Sequence, residues 1–210
     1  MTRILIVDNN PVFRRGLKDI LKEEIKSVEF GEAHTVHEAL DLIWKRPWDI
    51  VLLDFCLSGR SGLEALHDIK KEKPRLPVLI LSLYPEEQYA VRAFKAGASA
   101  YLTKESAPEE IAAAVRAALA GHRYVNATLG EKLAATLEDG VEQPLHEKLS
   151  GREFEVLRLI ASGKKVTEIA HEWSVSPTTV SAYRMRMMLK MGMKTNSELT
   201  TYAVRQNMFF

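Results

Sequence analysis

Ile4-Leu5-Ile6-Val7-Asp8 and Ile50-Val51-Leu52-Leu53-Asp54 are short apolar runs, each ending on an aspartate. Strands buried on both faces of a parallel sheet have this composition, because neither face is left to alternate with polar residues. A third run, Val78-Leu79-Ile80-Leu81, ends on Ser82, and weaker runs lie at Val28–Phe30 and Ala100–Leu102. Between them the apolar residues take helical spacing. Phe13, Leu17, Ile20 and Leu21 fall at i, i+4, i+7 and i+8, and Val36, Ala39, Leu40 and Ile43 at i, i+3, i+4 and i+7. Leu63/Leu66, Val91/Phe94 and Ile111/Val115/Leu119 continue the pattern. Ser106 with Glu109 reads as a capping box opening the last of these helices, and Gly121 as its end. Five strand–helix units predict a doubly wound, five-stranded parallel α/β sheet over residues 1–121.

The strand pattern then stops. Residues 122–147, punctuated by Gly130, Gly140 and Pro144, read as a linker with a short helix around Leu129–Leu137. From 148 to 210 every segment has helical spacing, which predicts an all-α domain of four helices near 151–162, 167–173, 177–191 and 196–207. Of the 210 residues, 46% are apolar and 27% charged, as in ordinary globular proteins. The single cysteine, Cys56, excludes an internal disulfide and a cysteine zinc cluster. No apolar run approaches the roughly 20 residues that span a bilayer, and no signal-peptide core precedes Asp8. A soluble, cytoplasmic protein without membrane contact is expected. Net charge is +1, yet residues 149–210 hold nine Lys/Arg against five Glu, leaving −3 for residues 1–148. Such asymmetry points the second domain towards a polyanion.

Ligands of open α/β sheets bind beyond the carboxyl ends of the strands, where strand order reverses. In a 2-1-3-4-5 order the first and third strands are neighbours, so Asp8 and Asp54 share one pocket. Crowded carboxylates repel unless a cation lies between them, and Mg²⁺ is commonly held by one or two carboxylates, waters and substrate phosphate. Ser82 brings a hydroxyl to the same rim, and Thr103-Lys104 an ammonium able to neutralise a phosphoryl group. For any one of these residues a polar strand cap is the simpler reading. Asp, Asp, Ser and Lys gathered on one edge from four strand ends is not explained that way.

With Gly59-Arg60-Ser61-Gly62-Leu63-Glu64 and Lys95-Ala96-Gly97-Ala98 leading to Tyr101-Leu102-Thr103-Lys104, residues 3–120 resemble a receiver domain of a two-component response regulator, a flavodoxin-like fold. The resemblance implies that Asp54 accepts a phosphoryl group from a sensor histidine kinase. Asp8, Asp54 and the backbone carbonyl of Cys56 would hold Mg²⁺, Ser82 would reach the phosphoryl group and Lys104 would pair with it. Tyr101 would be the aromatic whose rotamer follows Ser82. Asn9 stands where the family usually has a second acid that ligates the metal. Its amide oxygen can coordinate but lacks the charge, so weaker Mg²⁺ binding is expected. A haloacid-dehalogenase-type phosphatase also uses a strand-end aspartate, but needs a second one two residues later, where this chain has Cys56.

In the second domain, Ile169, Ala170 and Trp173 precede the turn Ser174-Val175-Ser176, and Ser176-Pro177 restarts a helix with an N-cap serine and a proline at its first position. Two helices joined so tightly form a helix-turn-helix. Val180, Tyr183, Met187 and Met191 would pack inward. Thr178, Ser181, Ala182 and Met185 form the opposite face, the one a recognition helix presents to the major groove. Arg184 and Arg186 flank it, and Lys164, Lys165 and Lys190 suit phosphate contacts. A protein-interaction bundle is the plain alternative for a small basic helical domain. Against it, Leu149-Ser150-Gly151-Arg152-Glu153, Glu155-Val156-Leu157, Glu168-Ile169-Ala170 and Val175-Ser176-Pro177-Thr178-Thr179-Val180 resemble the LuxR-type helix-turn-helix of NarL/FixJ-family regulators over about 149–208. Thr178 stands where lysine is frequent there, and Met191 where leucine is usual. By that resemblance Thr178, Thr179, Ser181, Ala182, Arg184, Met185, Arg186 and Lys165 are the candidate DNA contacts. The six histidines lack metal-ligand spacing and read as surface residues.

The sequence therefore predicts a transcription regulator rather than an enzyme. Its expected partners are double-stranded DNA, a cognate sensor histidine kinase, RNA polymerase as a further candidate, and a second copy of itself on activation. The dimer surface would lie along Val91–Tyr101 or on the last helix, Ser197–Arg205. The competing expectation is a regulator that works without phosphorylation, its receiver serving as a dimerisation or docking module.

Overall fold

The computed structural model describes residues 1–57, 60–126, 129–131, 144–206 and 208. The chain divides into two compact units, residues 1–140 and 141–210. The first unit alternates β1 (Thr2–Val7), α1 (Pro11–Glu24), β2 (Val28–Ala33), α2 (Val36–Lys45), β3 (Ile50–Asp54), α3 (Gly62–Glu72), β4 (Val78–Ser82), α4 (Glu86–Lys95), β5 (Ala100–Thr103) and α5 (Pro108–Leu119). The five strands form one parallel sheet in the order β2-β1-β3-β4-β5. This is the doubly wound arrangement expected from the runs.

Alternation along the strands divides the core between two faces. Ile4, Ile6, Ile50, Leu52, Leu79, Leu81, Ala100 and Leu102 pack with Leu17 and Leu21 of α1 and Ile111 and Val115 of α5. The intervening residues Leu5, Val7, Val51, Leu53 and Ile80 are fully buried as well, on the face left to α2, α3 and α4. Each such side chain contributes about 1.5–3 kcal/mol. Register matters most at the carboxyl ends. Val7 pairs with Leu53 and Ser82 with Thr103, so the residues that follow or close these strands reach a common level.

Two local expectations are corrected. Ser106 does not cap α5: Ala107 is the N-cap, without a side-chain hydrogen bond, and Pro108 starts the helix. A proline at the first helical turn has no N–H to satisfy and its ring presets the helical φ, which moves the start past Ser106. The Ser106 hydroxyl lies 3.4 Å from that of Thr103 instead. A small antiparallel hairpin, Cys56–Leu57 with Arg60–Ser61, follows β3 where no strand was expected. Gly59 and Gly140 lie outside the described residues, as does most of the expected linker helix, of which Leu129–Glu131 is helical.

The second unit holds α6 (Gly151–Ala161), α7 (Val166–Glu172), α8 (Pro177–Met191) and α9 (Asn196–Arg205). Ser150/Glu153 and Thr195/Glu198 form reciprocal capping boxes, and the Ser176 side chain accepts from the Thr179 amide. Phe154, Val156, Leu157, Ile169, Val180, Met187, Met191, Leu199 and Ala203 make the core. A short 3₁₀ turn, Leu145–Lys148, belongs with these helices. The Tyr202 hydroxyl contacts His146 Nδ1 at 2.8 Å and accepts from its backbone N–H at 3.2 Å, and the His146 ring lies 5.6 Å from that of Phe154. Five histidines are exposed, as expected; His146 is the correction, half-buried and hydrogen-bonded.

On β2, Gly31 pairs with Leu5, and a Cβ built there would lie 2.1 Å from the outer ring of Trp48. The indole cannot easily withdraw: its Nε1 donates to the Leu42 carbonyl at 2.9 Å and Arg46 stacks over the ring. Gly31→Ala should therefore destabilise the first unit by about 1–3 kcal/mol, the usual cost of overpacking. In a Trp48→Phe background, which removes the outer ring, the added methyl should cost much less. Chemical denaturation of the four proteins checks this, and strict additivity would contradict it.

Candidate functional site

The carboxyl ends of β1, β3, β4 and β5 deliver Asp8, Asp54, Ser82 and Lys104 to one edge of the sheet. Asp8, Asp54 and Ser82 are each no more than 3% exposed. Lys104 Nζ lies 2.6 Å from Asp8 Oδ2 and 3.1 Å from Asp54 Oδ1, bridging the two carboxylates. The other Asp8 oxygen accepts the Asn10 amide at 2.7 Å. Asp54 Oδ1 also accepts the Cys56 amide at 3.1 Å, while Oδ2 takes no hydrogen bond among the described residues. Burial pushes the Asp54 carboxyl above its ordinary range and the nearby Asp8 charge adds to this, with Lys104 opposing both. Two carboxylates converging on one ammonium leave a net negative charge. That donor set suits one divalent cation, which takes one or two carboxylates and completes its shell with waters and phosphate oxygens. Among the described residues no three His, Cys, Asp or Glu side chains gather into a fuller metal cage.

Not every expected member is placed alike. Asn9 is exposed, and the neighbouring Asn10 caps α1, its side chain accepting from Val12 and Phe13. Cys56, singled out for its carbonyl, meets Asp54 through its amide. Ser82 Oγ accepts the Tyr84 amide at 2.9 Å, leaving its hydroxyl proton to donate. Tyr101 points inward, 1% exposed, with its hydroxyl donating to the Tyr84 carbonyl at 3.0 Å. Burial pushes its phenol well above the ordinary range. Phe55 and Tyr89 wall it in, with ring centroids 4.5 Å apart, and Tyr84 stacks on Tyr89.

Arg14 was missed by sequence reasoning. Its guanidinium is buried, donating from Nη1 to the Asp8 carbonyl at 2.6 Å and from Nε to Glu32 at 2.8 Å, so it pins the loop that carries Asp8. The spacing held a signal: Arg14, Leu17 and Leu21 fall at i, i+3 and i+7 on the buried face of α1.

In the second unit, Thr178, Thr179, Ser181 and Met185 of α8 are exposed and Ala182 and Arg184 half-buried, while Val180, Met187, Met188 and Met191 face the core. The basic side chains are not all loose. Arg184 donates to Asn196 Oδ1 from Nε at 3.0 Å and Nη2 at 2.6 Å. Lys190 lies 2.6 Å and Arg186 3.6 Å from the carboxylate of Glu153, whose side chain is 3% exposed. Burial alone would raise the Glu153 pKa, but hydrogen bonds from Lys190 and the Ser150 amide outweigh it and hold the group below its ordinary range. Lys164 is paired with Glu172. Lys165 is exposed at the start of α7.

Residues 4–116 match the family model for the response regulator receiver domain, and residues 147–203 that for bacterial regulatory proteins of the luxR family. The chain is 32% identical over 210 residues to the response regulator UvrY of Escherichia coli (strain K12), covering 99% of this chain and 96% of that protein. It is 30% identical over 209 residues to the response regulator GacA of Pseudomonas aeruginosa, covering 99% and 98%. Among solved structures, RcsB from Salmonella enterica serovar Typhimurium, bound to a promoter in the presence of the phosphomimetic BeF3−, is similar with a TM-score of 0.64 and 25% identity, over 96% of this chain and 97% of that one.

The raised Asp54 pKa has a defined consequence for stability. The folded state holds this proton more tightly than the unfolded chain, so the stability it contributes is full below the ordinary carboxyl range. That contribution is lost as pH rises through the folded-state value. Asp54→Asn should therefore leave stability in EDTA unchanged at low pH and raise it at pH 7. Denaturation at pH 3, 5 and 7 checks this; a gain that is largest at pH 3 would contradict it.

Proposed function

Because this chain belongs to the response regulators that join a receiver domain to a LuxR-type helix-turn-helix, we propose that phosphorylation of Asp54 controls DNA binding by the second unit. The observation that carries this is the Lys104 bridge between two buried carboxylates at the strand ends, in a chain that also holds a capped helix-turn-helix. The boundaries adopted are a receiver at 1–121, a linker at 122–147 and a DNA-binding domain at 148–210.

In the proposed reaction Asp54 Oδ2 attacks the phosphorus of a phosphohistidine on a sensor kinase. The new O–P bond forms as the P–N bond breaks, and the imidazole leaves. Bound Mg²⁺, held by Asp8, Asp54, the Cys56 carbonyl and Asn9, would neutralise charge on the phosphoryl oxygens. Lys104 then exchanges one carboxylate for the phosphoryl group, and Ser82 turns its hydroxyl proton towards it. Because Ser82 Oγ holds the Tyr84 amide and Tyr101 the Tyr84 carbonyl, movement of Ser82 passes directly to the aromatic cluster beneath α4. A single helix-turn-helix reads one half-site, so pairing two copies on DNA multiplies affinity through effective concentration. In this reading Thr178, Thr179, Ser181, Ala182 and Met185 face base edges, and Arg184, Arg186 and Lys165 face phosphates. RNA polymerase is a candidate partner of the DNA-bound dimer. No described helix is long and apolar enough to cross a membrane, and the cytoplasm is the compartment proposed, since the target is DNA.

A second reading is favoured by Tyr101. It lies inward with its hydroxyl already bonded, and Asn9 supplies no charge to the metal. A receiver preset in this way would bind DNA without phosphorylation.

The two readings separate on DNA-binding titrations with a small acyl phosphate donor and Mg²⁺. Phosphorylated wild type should bind a palindromic site at least tenfold more tightly than Asp54→Asn. Equal affinities would favour the second reading.

Asn9→Asp should lower the Mg²⁺ midpoint several-fold and speed phosphorylation. A unit charge about 4 Å from the ion interacts by about 4 kcal/mol at an effective dielectric of about 20 before desolvation, so even a small surviving fraction registers. Mg²⁺ titration of both proteins, followed by tryptophan fluorescence, checks it. Identical midpoints would show that Asn9 is no handicap.

A further inference from the structure

At the edge of the sheet opposite Asp54, where Pro77 and Ser99 lead into β4 and β5, the first unit has a second concave feature. It is a cleft of about 370 Å³ lined by Lys70 from α3, Arg75 and Pro77 before β4, Gly97 before β5, and His122 and Arg123 after α5. Among the described residues no carboxylate lines it. Elsewhere on this unit Arg3, Arg14, Lys18, Arg46 and Arg116 each face a glutamate. Among the described residues none of Lys70, Arg75, His122 and Arg123 has an acidic partner.

The cleft is built rather than accidental. Lys70 is half-buried and its ammonium donates to the Leu76 carbonyl at 2.7 Å, fixing the charge in the wall. Its stem passes over Gly97, which has a φ of 99° and where a Cβ would lie 3.2 Å from Lys70 Cγ. Burial and then the charge of Arg123 lower the pKa of this lysine, as expected of like charges held together without a counter-ion.

We propose that this cleft binds a small phosphate monoester, held as a dianion by Lys70, Arg75 and Arg123. Three cations without acids complement a dianion, and guanidinium groups meet phosphate oxygens in a bidentate fork. The volume lies at the small end of the usual range for ligand clefts, roughly 300–1,000 Å³, enough for a phosphate carrying a modest organic group. Residues 1–148 carry a net −3, which disfavours an extended polyanion on this surface and leaves the concave basic spot to a compact one. The ligand would join α3 to the segment by which the chain leaves α5. This inference does not depend on the chemistry assigned to Asp54.

The test is calorimetric titration of the full chain with adenosine 5′-monophosphate and with inorganic phosphate, in EDTA so that no metal assists the Asp54 pocket. One site is expected, with perturbed backbone amide resonances at Gly97 and Gly121. Arg75→Ala and Arg123→Ala, both at exposed positions, should each weaken binding at least tenfold, and Lys18→Ala, a cation paired with Glu32 away from the cleft, should leave it unchanged. No binding by wild type at millimolar ligand would overturn the proposal. So would binding that survives both arginine substitutions or is lost with Lys18→Ala.

Discussion

The Lys104 ammonium stands between Asp8 and Asp54 in a site nearly closed to water. Two carboxylates buried at neighbouring strand ends repel strongly in a low dielectric, and a third strand must supply the charge that holds them together. This condition orders the first unit. It requires β1 and β3 to be adjacent, β5 to end level with β4, and the loop after β1 to be fixed. Arg14 meets the last demand by holding the Asp8 carbonyl from α1 while bonded to Glu32 on β2. A single ammonium offsets only one of the two negative charges, and the surplus makes the pocket's donor set one that suits a divalent cation.

Asp54 and Tyr101 are joined by short steps. Asp54 pairs across the sheet with Leu81, next to Ser82, and the Ser82 hydroxyl holds the Tyr84 amide while the Tyr84 carbonyl holds the Tyr101 hydroxyl. Phe55, adjacent to Asp54, lies within edge-to-face distance of Tyr84, Tyr89 and Tyr101. The aromatic group is thus the neighbour of Asp54 and of α4 at once. A rotation of Tyr101 would have to reorganise the packing of all four rings.

The second unit meets the same electrostatic problem with opposite sign. Its α8 helix carries three basic side chains, and buried Glu153 on α6 draws Arg186 and Lys190 towards the core. Arg184 is tied to Asn196 at the start of α9. These contacts hold α8 against its neighbours and leave the hydroxyls of Thr178 and Ser181 as the least encumbered polar groups on its outer face.

Much of this was legible in the sequence because it is decided within a few residues. Runs such as Ile50–Leu53 fix buried strands, and 3.6-residue spacing fixes the helices. Ser150/Glu153 and Ser176/Pro177 fix helix starts, and strand-end Asp8, Asp54, Ser82 and Lys104 announce a pocket. Local reading failed at Ser106, where Pro108 moved the helix start, and at His146, whose partner Tyr202 lies 56 residues away. It also could not anticipate that Tyr101 lies inward, that Arg14 grips the Asp8 carbonyl, or that Glu153 gathers the bases of α8. The physical reason is common to all of these. A period or a cap is set by neighbours one turn away, whereas a buried charge or hydroxyl takes whichever partner the packed elements bring to it, and Lys104 meets Asp8 across 96 residues.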